Sequence, residues 1–175
     1  VSATELGYLD GVTSAVQTQI DAKLATSTAS STYAPLSSAT LTAPVLVSPE
    51  EKMTVSATAA TGTINFDADT QGVLYYTSDA SADWTLNVRG SGSTTLNSKL
   101  ATGDSTTVAF LVNNGSTAYK HSALTIDGSA QTVKWSGGTA PAAGNASAVD
   151  AYSFTIIKTA SATYTVLGAG PIKYA

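Results

Sequence analysis

Apolar positions recur at two different periods along this chain. Near the start, Leu6, Leu9, Thr13, Val16 and Ile20 fall three and four residues apart, an a/d stripe on an α-helix, with Leu24 one position off register. Ser2 and Glu5 have the S-x-x-E spacing of a capping box, which satisfies orphan backbone donors at a helix start. These features predict a helix over residues 2–24, broken or kinked near Gly7 and Gly11 because glycine is a poor interior residue. The stripe is too narrow to dock on a globular core, and a helix of this length is marginal alone. Its simplest cover is a copy of itself, so it reads as an oligomerisation helix.

From about residue 50 the period becomes two. Strands are predicted at 53–58, 62–67, 72–77, 84–89, 105–112, 117–126, 131–135, 151–158 and 163–168, with a short piece at 172–174. Trp84, Leu86 and Val88 alternate with polar neighbours, as do Tyr152, Phe154 and Ile156, which buries one face. Asn113-Asn114-Gly115 and Asp127-Gly128 predict hairpins, since both supply residues that tolerate positive φ. No helix-period pattern competes. The fold class expected is mainly β: an antiparallel, jelly-roll-like β-sandwich over 50–175 behind the helix of 1–24. Residues 25–49 form a low-complexity bridge, yet Leu36, Leu41, Val45, Leu46 and Val47 make it too apolar for a solvated tether.

Composition sharpens this picture. Only 11% of residues are charged while 43% are hydrophobic, and Ala, Thr, Ser and Gly dominate. Such a chain suits extended, interwoven structure better than an enzyme core, and a soluble monomer would lack the charges that solubility rests on. The net charge of −4 argues against nucleic-acid binding. No run has the apolar length of a membrane span, so no membrane insertion is expected, and no signal peptide is read at the start. Cysteine is absent, which excludes disulfides and thiolate metal sites. With Val1 first and Met53 its one methionine, the chain is expected to be a piece of something longer.

Candidate chemistry is sparse. The one histidine, His121, has Ser122 beside it, but neighbours on a strand face opposite ways, and no nucleophile elbow is present. Asp67-Ala-Asp69-Thr-Gln71-Gly72 resembles half of a calcium loop, but Ser78 stands where the bidentate Glu belongs, so a polar turn is expected. Asp79 and Asp83 flank one loop and read as solvated rather than as a glycosidase pair. The glycine-rich stretches 90–93 and 137–141 open no helix and read as loops. Trp84 and Trp135 could stack on sugars, with Tyr75, Tyr76, Tyr119 and Tyr152 as polar handles, yet the strand pattern favours burial of both tryptophans. The exposed candidates are the loops 78–83, 90–104 and 136–149. No catalytic, cofactor-binding or metal-ligating residue is assigned, and no receptor-contact residue is named.

Two sets of phrases carry a resemblance. The segment TELGYLDGVTSAVQTQIDAK is similar to one that recurs in tail fibres and related adhesion proteins of tailed bacteriophages, and LTAPVL resembles their shaft segments. TGTINFDADTQGVLYYTSDASADWTLNVRG, STTVAFLVNNGSTAYK, KWSGGTAPAAGNASAVDAYSFTIIKT and YTVLGAG resemble a domain of tail-fibre-like structural proteins of T4-like cyanophages and other marine phages. The resemblance implies a homotrimer with Leu6, Leu9, Thr13, Val16 and Ile20 at a coiled-coil interface and Leu36, Leu41, Val45 and Val47 in an intertwined shaft. It implies a virion component, assembled in the host cytoplasm, that meets other tail or baseplate proteins and presents a distal surface to a host glycan or outer-membrane protein. The alternative is a head, collar or baseplate decoration with no receptor contact. No cofactor and no catalytic set comes with the family.

Overall fold

The computed structural model describes residues 2–7, 15, 18, 45 and 47–175, and the chain divides into two compact units, Val1–Pro49 and Glu50–Ala175. In the first unit, helix α1 (Ala3–Gly7) opens on the capping box. The Glu5 N–H donates to Ser2 Oγ at 3.2 Å, and the Ser2 N–H donates back to Glu5 Oε2 at 2.7 Å. That backbone bond holds the Glu5 carboxyl below its ordinary range. Ala15 is not helical while Thr18 is, an interruption beyond the breaks expected near Gly7 and Gly11. The residues leading to Ala15, Gly11-Val12-Thr13-Ser14, are all weak helix formers.

The second unit is mainly β. Its strands are β1 (Met53–Ala59), β2 (Gly62–Asp67), β3 (Val73–Asp79), β4 (Trp84–Arg89), β5 (Ser105–Asn114), β6 (His121–Ile126), β7 (Ser129–Gln131), β8 (Val133–Trp135), β9 (Ala148–Ala160) and β10 (Thr163–Tyr174). They form a six-stranded sheet, β1-β3-β5-β9-β10-β8, and a four-stranded sheet, β2-β4-β6-β7. From β1 to β6 the chain crosses from one sheet to the other at every turn. A strand therefore meets, in its own sheet, the strand two before it, which points the same way. β1·β3, β3·β5, β2·β4 and β4·β6 are accordingly parallel, as is β8·β10. Only β5·β9, β9·β10 and β6·β7 are antiparallel.

The antiparallel, jelly-roll-like expectation is thus corrected: the body winds as coils, and hairpins enter late. Asn113-Asn114-Gly115 is not a hairpin turn but a crossing from β5 in one sheet to β6 in the other. Asp127-Gly128 is a hairpin turn, joining β6 to β7 with φ of 51° and 80°. A second correction is helix α2 (Leu96–Lys99), unforeseen because one turn shows no period. Thr95 caps it, and the Asp127 carboxylate accepts the Leu96 and Asn97 N–H groups at 2.7 and 3.1 Å. At its other end the buried Lys158 ammonium donates to the Asn97 and Leu100 carbonyls at 2.6 and 2.8 Å.

The inward faces of both sheets meet in one apolar core. Ile64, Phe66, Leu86, Val88, Leu124 and Ile126 come from the smaller sheet, and Val108, Phe110, Val112, Phe154 and Ile156 from the larger. Trp84 bridges them, its ring centroid 4.4 Å from that of Phe110. The outer face of the smaller sheet is a polar ladder: Thr125 Oγ1 donates to Asn87 Oδ1 at 2.8 Å, and Asn87 Nδ2 donates to Asn65 Oδ1 at 2.8 Å. Beside it Arg89 Nε donates to Asp67 Oδ1 at 2.6 Å.

Candidate functional site

Coil winding sorts the connections to two ends. At the end where the unit begins, Gly72 N–H donates to the Lys52 carbonyl at 3.0 Å, and the loops 68–72, 90–104 and 127–128 gather there. The opposite end collects the turns 80–83 and 115–120, the segment 139–147 and the last residues of β10. Loops 78–83 and 136–149, two of the three exposed candidates in the sequence, therefore share one rim, while 90–104 lies at the far end.

Hydrogen bonds lock this rim. Asn113 Nδ2 donates to Asp79 Oδ1 at 2.8 Å, the Ala80 N–H to the Asn113 carbonyl at 2.8 Å, and the Ser147 N–H to the Gly115 carbonyl at 2.7 Å. Asp83 Oδ1 accepts the Lys120 N–H at 3.0 Å. Beneath lies the fully buried Asp150 carboxylate, which takes Asn145 N–H at 2.8 Å, Asn145 Nδ2 at 2.7 Å and Asn114 Nδ2 at 3.1 Å. Three donors replace the water that burial removes. Gly144 fits only because it lacks Cβ, since one built there would collide with the Tyr119 carbonyl oxygen. Two grooves open on this frame. One of about 550 Å³ is lined by Asn113, Ser116, Ser147, Val149 and the exposed Tyr174, and one of about 320 Å³ by Asp79, Ser81, Gly115, Thr117 and Tyr119. Their shared wall is Asp79, Gly115 and Ser116.

His121 stands apart from both. It is buried, with ring centroids of Phe154, Trp84, Trp135 and Tyr152 at 5.1, 5.2, 5.4 and 6.1 Å, and its Nε2 has no partner among the described residues. Burial pulls its pKa down to about 4, against a backbone hydrogen bond at Ala123 that raises it. Burial likewise pushes the Tyr152 phenol upward. His121 is buried and, at ordinary pH, neutral, and among the described residues no acid pairs with its ring.

No family model, curated protein or solved structure matches this chain. Its site must be read from its own residues.

Trp84 is fully buried and Trp135 half-buried; Tyr152 is buried and Tyr75, Tyr76 and Tyr119 are half-buried. The 67–72 segment is a turn: Asp67 pairs with Arg89, and Asp69 with Lys99. Among the described residues no three acidic or histidine side chains converge on a metal-sized site. Leu6 lies within α1, and Val45 and Val47 are exposed in the single chain. Leu9, Thr13, Val16, Ile20, Leu36 and Leu41 lie outside the described residues. Sequence reasoning missed Tyr174, Asn145 and Asp150 at the rim; Tyr174 stands on the last strand predicted, and the Asp150 contacts arise only through the fold.

Proposed function

We propose that this chain is a non-enzymatic part of a phage tail fibre, a homotrimer whose 50–175 units form β-sandwich tips that attach to the host envelope. The sequence phrases resembling fibre and marine-phage structural proteins support the class. The observation that carries the rest is the rim: two polar grooves on a hydrogen-bonded frame, at the end remote from Met53. Neutral amides and hydroxyls of Asn113, Ser116 and Ser147, with the Tyr174 ring at 58% exposure, suit the hydroxyls and apolar face of a surface glycan. Three tips per fibre would offset weak binding at each.

Two measurements test this. Light scattering should give three times the 17.6 kDa chain mass, and the assembly should resist detergent without boiling. On glycan arrays and intact cells of candidate hosts, the protein should bind, and Tyr174→Ala with Ser116→Trp should lose at least about tenfold in affinity. A trimer that binds no cell or glycan would favour the decoration reading; a monomer would sink the fibre reading.

A further inference from the structure

The two sheets differ sharply on their outer faces. The smaller one is covered by the Asn65–Asn87–Thr125 ladder and the Asp67–Arg89 pair. On the larger one, strand register lays Val55, Tyr75, Leu111, Ala151 and Ile172 in one row, and Met53, Val73, Ala109, Ser153 and Ala169 in the next. Beyond them come Thr107, Thr155 and Leu167, then Ser105, Ile157 and Thr165. None of these is charged. Met53, Val55, Leu167 and Ile172 are 46%, 61%, 44% and 52% exposed, which accounts for four of the five large exposed apolar side chains of the unit. The charged residues in register with the face sit on opposite margins, Asp79 at the β3 corner and Lys134 on the β8 edge.

We infer that this face is covered by the equivalent face of other copies of the chain. Size supports it: six strands about 4.8 Å apart and some 20–25 Å long present roughly 600 Å². That uncharged face is as large as the biggest patches of about 300–600 Å² found on monomers and approaches the ~800 Å² per partner of a standard interface. Charge supports a like partner. A foreign acidic or basic surface would bury its charges against a face with nothing to pair them. A copy brings the same neutral rows, with its Asp79 and Lys134 at the margins rather than within the contact. Strand β1 gains most, since none of its side chains is buried in the lone chain. The inference rests on the sheet alone and does not require the fibre reading.

The chain has no cysteine, so single cysteines report accessibility cleanly. Full-length Val55→Cys and Leu167→Cys are compared with Thr63→Cys, an exposed position on the smaller sheet, for maleimide labelling rate, with light scattering on the same samples. Both face cysteines should label at least about tenfold more slowly than Thr63→Cys, and Ala109→Asp in the middle of the face should restore fast labelling. Circular dichroism verifies that each variant is folded. Equal rates at all three positions would overturn the inference, and so would protection that persists in a chain weighing as a monomer, because residues 1–49 would then be the cover. A trimer with a fast-labelling face leaves the fibre reading standing and removes this one alone.

Discussion

Enclosing an imidazole among four aromatic rings couples this molecule's stability to pH. The folded pKa of His121, about 4, lies below the unfolded value of 6.5, so on acidification the unfolded chain takes up the proton first. The His121 contribution to stability is complete above pH 6.5, is lost progressively from 6.5 down to about 4, and changes no further below; at most on the order of 3 kcal/mol is involved. Urea midpoints at pH 7.5 and 4.5 check this against His121→Phe, which keeps a ring and should lack this share of the loss. A second residue-scale expectation concerns Gly144. Gly144→Ala should destabilise by about 1–3 kcal/mol, because a methyl group would push on a backbone carbonyl that cannot yield cheaply; chemical denaturation measures it. That Ser122 faces away from His121 was legible from strand alternation. The rim was not, because a carboxylate such as Asp150 is held by Asn114 and Asn145 only once strands and loop converge.

Most strands were readable to within a few residues, but the one expected at 131–135 is two, β7 and β8, in different sheets, and those expected at 163–168 and 172–174 are the single β10; alternation at Trp84-Leu86-Val88 reports which side chains are buried, and that is a property of one strand. Which strand pairs with which, and in what direction, is a property of the connections. Asn113-Asn114-Gly115 has turn chemistry that serves a hairpin or a crossing between sheets equally well, and here it serves the crossing. Helix α2 was hidden for a related reason, since its stability comes from partners distant in sequence. Asp127→Ala should therefore damage two elements together, removing the acceptor at the α2 N-terminus and a residue at φ 51° in the β6–β7 turn. A loss of about 1–2 kcal/mol is expected by thermal or urea unfolding. Asp127→Asn keeps one acceptor oxygen and tolerance of positive φ, and should recover most of it.

At the scale of the molecule, both sheets depend on one core. Phe110→Ala, which opens a void against Trp84 from the opposite sheet, should cost about 3–5 kcal/mol and lower a single unfolding transition for the 50–175 unit rather than split it. Coil winding also has a mechanical consequence. The chain enters at Met53 on β1, and the rim with its grooves lies at the other ends of the same strands. A tension applied between entry and rim runs along the strand axes, so the hydrogen bonds of β1·β3 and β3·β5 are loaded together, in shear, rather than peeled one after another. A body wound in this way bears a pull best along the line from its entry strand to its rim.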